Sequence, residues 1–299
     1  MSDAVRECLV APFKSLSKGS GLPAIATGVT AIAMDQNNAE NRICEKTILP
    51  NSGSPMTGRL ILDHPSRGAW NMAVDEALML TAADLGVPTL RFYRWQEPTV
   101  SLGYFQTYQE RFLHPESLDA VLVRRNSGGG AIVHDKELTY SLTVPTAHPL
   151  GNKPCAIYKL MHDTLIESLD AIGISAELNA EPVPELESKF LCFQRRASND
   201  ILFQGNKVCG SAQRKRHQAI SQHGSFILNT SPAAPQISGI NDLSGEFIEP
   251  EPLIKLWTER LEKRTGILFQ QDTLSADEAE QSTLIEKGKF STVNWSQRR

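Results

Sequence analysis

Three consecutive glycines, Gly128, Gly129 and Gly130, follow the apolar run Ala120-Val121-Leu122-Val123 and the paired cations Arg124 and Arg125. They lead through Ala131, Ile132, Val133, His134 and Asp135 into a second apolar run, 138–144. Glycine has no Cβ and adopts φ > 0 readily, so such a loop lets the backbone lie directly against a ligand. Its N–H groups can cradle a carboxylate, a phosphate or a developing oxyanion. A ligand-free hairpin turn would use the same residues, and the loop alone leaves both readings open. A second polar-rich segment, 198–214, favours the first. It has the pattern of a β-hairpin, with 200–204 as one arm, Gly205-Asn206 as the turn and 207–213 as the other arm. Lys207 follows that turn directly, where a strand can aim its side chain into a cleft. An ammonium fixed in a partly dry cleft stabilises negative charge on a carbonyl or phosphate oxygen and favours the thiolate of a nearby cysteine. Residues 220–228, containing Gln222-His223-Gly224, read as the next strand.

The elements around these pieces follow from periodicity. Ala69, Met72, Ala73, Ala77 and Leu80 fall close to one face of a helix over 68–83, ended by Gly86-Val87-Pro88. Short strands are expected at 90–95, 99–103, 120–125 and 138–144. An amphipathic helix spans 157–172, with Gly173 just past its end. Segments 180–189 and 232–245 read as loops, and 252–265 and 277–287 as helices. Strands mix with helices without βαβ alternation, which points to an α+β fold.

The composition bounds the rest. A chain of 299 residues, 40% apolar and 21% charged, is ordinary for a globular protein. A net charge of −4 argues against a general nucleic-acid binder. Two local basic clusters, Arg195-Arg196 and Arg214-Lys215-Arg216, are either solvated surface or a docking patch for an acidic partner, such as a carrier protein or an acceptor domain. No run of 18 apolar residues is present, so no membrane-spanning helix is expected. Residues 1–55 lack sustained periodicity and read as a disordered N-terminal extension, leaving 56–299 as a single domain with a helical C-terminal tail. The five cysteines (Cys8, Cys44, Cys155, Cys192, Cys209) are scattered, without CxxC spacing. Neither a disulfide framework nor a zinc site is supported, and a reducing cytoplasm is the default location.

Taken in order, RRNSGGGAIVHD, SNDILFQGNKVCGSAQRKR and QHGSFIL resemble the catalytic domain shared by lipoate–protein ligases, biotin ligases and octanoyltransferases. Upstream, residues 68–78 look like that family's first helix, and 90–95 and 101–106 like its first strands. The resemblance implies a biotin/lipoate protein ligase-like catalytic domain: a mixed, mostly antiparallel sheet flanked by helices. Lys207 matches the family's active-site lysine. Cys192 lies in Phe190-Leu191-Cys192-Phe193, before the hairpin, where the cysteine-dependent octanoyltransferases place their nucleophile in a similar Cys-Phe setting. Such a thiolate takes an acyl group from a thioester and holds it as an acyl-enzyme. Arg125, Ser127, Gly128, Gly129, Gly130, Ala131 and His134 are then implied to bind substrate, with Asn199, Asp200, Gly210, Ser211 and Ala212 around the hairpin. Of Arg124 and Arg125, on alternating strand faces, one should point in and the other out. Asp200 is implied to orient Lys207 or an acceptor amine, and Tyr104 and Gln106 to line the acyl tunnel.

The residues around Cys192, Gln194-Arg195-Arg196-Ala197, are more basic than the resemblance leads one to expect. Cys209 is a rival nucleophile on the strand, although core packing is the better account of it. The sister branch, with its cysteine after the last strand, fits poorly, because 221–229 contains none. The implied activity is transfer of octanoyl from octanoyl-acyl carrier protein to a lysine of a lipoyl domain of a 2-oxoacid dehydrogenase or of the glycine cleavage H protein. It needs no cofactor, metal, nucleic acid or membrane. An ATP-dependent lipoate–protein ligase, using ATP and Mg²⁺, and a lipoyl amidotransferase are the alternatives.

Overall fold

The computed structural model describes residues 56–180 and 189–299; the expected extension over 1–55 lies outside the described residues. The strands are β1 (Met56–Leu62), β2 (Thr89–Tyr93), β3 (Thr99–Leu102), β4 (Val121–Arg124), β5 (Ile132–His134), β6 (Glu137–Pro145), β7 (Glu177–Leu178), β8 (Ile201–Phe203), β9 (Asn206–Arg216), β10 (Ala219–Ile227) and β11 (Ile267–Asp272). The helices are α1 (Gly68–Leu85), α2 (Pro154–Asp170), α3 (Ile240–Ser244), α4 (Pro250–Thr265), α5 (Ala276–Ile285) and α6 (Val293–Ser296). The main sheet runs β11-β1-β2-β6-β10-β9-β8-β7, and β4-β3-β5 form a second, small sheet. Within the main sheet β1 runs parallel to β2 and β11, and the remaining pairs are antiparallel. This is the mixed, mostly antiparallel α+β architecture expected.

The central strand β6 is buried along its whole length. Its alternation still sorts two faces. Tyr140 faces Trp257 of α4, with ring centroids 5.0 Å apart, and Phe92 of β2 meets the same tryptophan at 5.4 Å. The opposite face is polar yet covered by α1. Ser141 donates to Asp75 at 2.8 Å, and the fully buried Arg91 meets Asp75 at 2.7 Å and Asp63 at 2.6 Å. A buried charge is tolerable only when paired in this way. Helix α1 ends at Gly86, whose φ of 69° is the left-handed cap its sequence announces.

The structure adds elements that local pattern does not reveal. Strands β1 and β11 pair across more than two hundred residues of chain, Met56 opposite Ile267, and β11 is largely exposed and polar. Strand β5 has three residues. The segment expected to be loop over 232–245 contains the short helix α3. Helices α2 and α4 begin at Pro154 and Pro250, a few residues before the expected starts, because proline is well suited to a first helical position.

Candidate active site

The hairpin β8–β9 turns on Gln204 and Gly205, with φ of 49° and 72°. Two left-handed residues in succession match the right-handed twist of the flanking strands. The turn therefore lies one residue earlier than the sequence pattern indicated, and Lys207 is the second residue of the return strand. Its ammonium sits 2.8 Å from Asp200, and both side chains are almost wholly buried, at 4% and 2% exposed. The same ammonium reaches the Cys192 Sγ at 3.7 Å and the Cys192 carbonyl at 3.5 Å. Burial by itself would lower the Lys207 pKa, but the thiolate charge at Cys192 and the Asp200 carboxylate outweigh it, so the pKa stands above the ordinary lysine value. Burial pushes the Asp200 carboxyl up, against the opposing pull of Lys207 and the Ala197 N–H. Lys207 acts there as a fixed cation.

Cys192 is carried to this point by the glycine loop. Ala131 forms an isolated bridge with Leu191, and the Cys192 N–H donates to the Ala131 carbonyl at 2.7 Å. A Cβ on Gly130 would fall 3.0 Å from the Phe190 carbonyl and 3.3 Å from the Cys192 Cα, so any side chain there would press the two segments apart by a few tenths of an ångström. The opposite side is tighter still: a Cβ on Gly103 would lie 1.9 Å from the Gly129 carbonyl oxygen. Arg125 ties the loop down from beneath, donating to the carbonyls of Gly128 and Gly130 at 2.7 Å each and to the Ser101 carbonyl at 2.8 Å. Burial holds its pKa down to about 10, against the pull of a Cys192 thiolate, so it stays a cation near neutrality. With these carbonyls committed, the N–H groups of Gly128, Gly129 and Gly130 have no acceptor among the described residues. Unspent N–H groups beside a thiol form a cradle for an anionic oxygen.

Around this centre the other expected residues take unequal places. Neither Arg124 nor Arg125 points out: both are buried, and Arg124 donates to the carbonyls of Gly103, Gln106 and Ser296. The strand-alternation argument fails because Arg125 already lies beyond the end of β4. Ser127 shares a 2.6 Å hydrogen bond with His223. His134 is occupied elsewhere: it bonds Glu137 at 2.6 Å and Ser101 at 2.7 Å and stacks on Trp95 at 3.8 Å. It supports Arg125 through Ser101 and touches neither Cys192 nor Lys207. Asn199 is exposed with φ 66°, and its contribution is its carbonyl. Ala212 lies opposite His223 in the sheet. Gln106 spends its amide on the Gly103 N–H and on Glu110, and Tyr104 lies against Arg298, so neither is seen in a tunnel. Burial pushes the Cys209 thiol pKa far up, which makes it an inert core sulfur.

Sequence reasoning missed a directed chain under Ser211. The Asn199 carbonyl only accepts, so His162 must donate to it from Nδ1, at 2.5 Å. Burial holds the His162 pKa down to about 4, so its Nε2 is bare and takes the Ser211 hydroxyl proton at 2.6 Å. Ser211 then accepts from Tyr140 at 2.7 Å, and Tyr140 from Gln222 at 2.6 Å. This chain pins the carbonyl next to Asp200, and hence Lys207. The available signal was a histidine on the buried stripe of an amphipathic helix.

Gly210→Ala is expected to lower transfer by about a hundredfold while the protein stays folded. The new Cβ would fall 2.5 Å from Lys207 Cε and 2.8 Å from Nζ, displacing the ammonium from Cys192. Activity within about threefold of wild type, in a protein with an unchanged melting profile, would refute it.

Burial also holds the His223 pKa down to about 4. Both His162 and His223 thus titrate in the folded protein below the ordinary 6.5. As pH falls, the unfolded chain takes up these protons first. Stability is therefore full above about pH 6.5 and drains away between there and 4. The expected loss at pH 5 is about 2 kcal/mol per histidine. Urea midpoints at pH 7 and pH 5 measure it, and His223→Gln should remove roughly half of the difference.

A pocket beside the glycine loop is lined by Met72, Asp75 and Met79 of α1 and by Arg125, Ser127 and His223. Among the described residues no cluster of three or more His, Cys, Asp or Glu is placed to hold a metal ion. No helix there is long and apolar enough to cross a membrane.

Comparison with known proteins places this geometry. Residues 67–244 match the lipoyl protein ligase A/B catalytic domain family. The chain is 31% identical over 272 residues to octanoyltransferase LipM of Macrococcus caseolyticus, covering 79% of this chain and 96% of that protein. It is 31% identical to octanoyltransferase LipM of Halalkalibacterium halodurans over 269 residues, covering 77% and 95%. Among solved structures it is similar to a lipoate–protein ligase A bound with ATP, with TM-score 0.65 and 22% identity over 81% of this chain and 99% of that one. It is equally similar to the bipartite lipoate protein ligase of Thermoplasma acidophilum, with TM-score 0.65 and 22% identity over 81% and 96%.

Proposed function

Since the chain belongs to the lipoyl protein ligase A/B catalytic domain family, we infer that it is a protein octanoyltransferase working through Cys192. The observation that carries the mechanism is the 3.7 Å contact between the Cys192 Sγ and the Lys207 ammonium beside a loop with unspent N–H groups. Ligation of a free acid has no use for a thiol there, whereas acyl transfer from a thioester through an acyl-enzyme does.

In the first step the Cys192 thiolate attacks the carbonyl carbon of an octanoyl thioester on acyl carrier protein. The carbonyl oxygen becomes an oxyanion, stabilised by the Lys207 ammonium and the glycine-loop N–H groups. Collapse breaks the bond to the carrier sulfur. The carrier thiolate leaves and takes a proton from water, and octanoyl remains on Cys192. In the second step the neutral ε-amine of a lysine on a lipoyl-accepting domain attacks that thioester. Its proton passes to solvent, the amide forms, and the Cys192 thiolate is released. Exchange of one thioester for another is nearly neutral, and the amide is the more stable product, so nothing in the sequence of steps consumes a nucleotide. In the otherwise polar pocket between α1 and His223, Met72 and Met79 are the apolar side chains that face an acyl chain.

The test is transfer without nucleotide. With octanoyl-carrier protein, an acceptor lipoyl domain and a chelator present, octanoyl should appear on the acceptor at the same rate with and without ATP. A strict ATP requirement would establish the lipoate–protein ligase alternative in its place.

A further inference from the structure

We propose that Tyr104, Arg214, Arg298 and Arg299 form a binding site for the phosphodiester of the donor's pantetheine arm, at the rim of the glycine loop. The proposal rests on the transferase reading above and adds the group that the rim recognises.

Three cations gather on three aromatic rings. Arg298 lies 4.2 Å from the Tyr104 ring centroid and 4.8 Å from that of Trp295, Arg214 lies 5.7 Å from Tyr104, and Arg299 lies 5.5 Å from Phe105. Packing on a ring fixes the plane of a guanidinium; Arg298 bonds the Tyr104 hydroxyl and Arg214 donates to the Asn126 carbonyl at 2.5 Å, and each keeps further N–H groups for an anion. In a chain of net charge −4 such a gathering is not a general property of the surface. Among the described residues none of the three arginines has a carboxylate partner. The nearby acids are already committed: Glu76 holds Lys289 at 2.5 Å, and Glu110 bonds Gln106 and Thr107. The cations press on each other. Besides its burial, Arg214 is held below the ordinary arginine pKa by Arg216 and Arg298, and buried Arg124 by Arg298 and Arg299. Tyr104, hydrogen-bonded to Arg298, titrates lower than an ordinary tyrosine. A site that concentrates positive charge without an internal counter-ion is relieved by an anion, and arginine forks match phosphate oxygens geometrically.

Placement selects the anion. The Tyr104 N–H donates to the Ser127 carbonyl at 2.9 Å, and Phe105 packs against Gly128. From Ser127 to Gly130, which abuts Cys192, is three peptide units, at most roughly 11 Å. The aromatic rim and the thiol thus stand at opposite ends of the glycine loop, as the two ends of a flexible thioester-bearing arm would require. Docking of the acceptor domain's acidic surface is the competing occupant, and the experiment distinguishes it.

The probes are octanoyl-phosphopantetheine and octanoyl-pantetheine, with acylation of Cys192 followed by mass spectrometry. The full chain is expected to react with the phosphorylated thioester at least about tenfold more efficiently, the worth of one or two charged hydrogen bonds. The Arg298→Gln, Arg299→Gln double variant should bring that ratio to within about threefold of unity, and Arg196→Gln should retain it. A wild-type ratio near one overturns the proposal. So does a double variant that keeps the full preference, including one whose only defect is a raised KM for the acceptor domain. If neither thioester acylates Cys192, the transferase reading itself falls, and this proposal with it.

Discussion

Cys192→Ser is expected to lose the octanoyl adduct and to lower transfer to the acceptor by about a thousandfold or more. The reason lies in what surrounds the sulfur. The Cys192 sulfur lies 3.7 Å from the Lys207 ammonium, which is held charged by Asp200 and cannot accept a proton. Buried His162 and His223 are committed to Ser211 and Ser127. Among the described residues no base is therefore hydrogen-bonded to the sulfur to activate an alcohol. A thiol ionises by itself beside a cation, and a serine hydroxyl does not. Intact-mass measurement with octanoyl-carrier protein reads the adduct, and a coupled assay reads the transfer. A serine variant within tenfold of wild type would show that the nucleophile lies elsewhere. Cys209, inert in the core, is the other cysteine of the hairpin region.

Lys207→Met should remove activity and stability together. Transfer is expected to fall by about a hundredfold or more, as when an oxyanion-stabilising charge is lost. The variant also leaves the Asp200 carboxylate buried without its partner, which costs about 3–5 kcal/mol. The buried pair therefore couples stability to the residue that carries the charge. Asp200→Asn in the same chain should restore most of the melting temperature, because a neutral amide replaces the stranded charge. It should restore none of the transfer. If the double variant recovers transfer, Lys207 acts only through its pairing, and the catalytic role assigned to it is wrong. The two measurements separate architecture from chemistry at one position.

Much of this site was written in local pattern. The glycine run, the hairpin and the QHG strand each carry a short-range signature, because glycine, turn residues and period-two alternation act within a few residues. From that order of motifs the family and the pairing of Cys192 with Lys207 were legible. The hairpin was placed one residue late because Gly-Asn and Gln-Gly are both acceptable turn pairs, and only the register with Phe203 opposite Asn206 decides between them. The roles of His134 and Arg124 were misjudged for a related reason. A motif shows that a polar residue is needed, while its bonding partners Glu137, Ser101 and Ser296 come from distant elements.

What the sequence by itself determined is the set of reactive groups and the short elements that bear them: a thiol, an ammonium, and a backbone turn without side chains. Tertiary structure alone decided how they are supported. Arg125 turns the carbonyls of the glycine loop inward, the His162–Ser211–Tyr140 chain pins the Asn199 carbonyl, and β11 closes on β1 at the far edge of the sheet. These are contacts between residues far apart in the chain. Their free energy comes from burial and hydrogen-bond satisfaction in the assembled core, which no local window of residue types encodes.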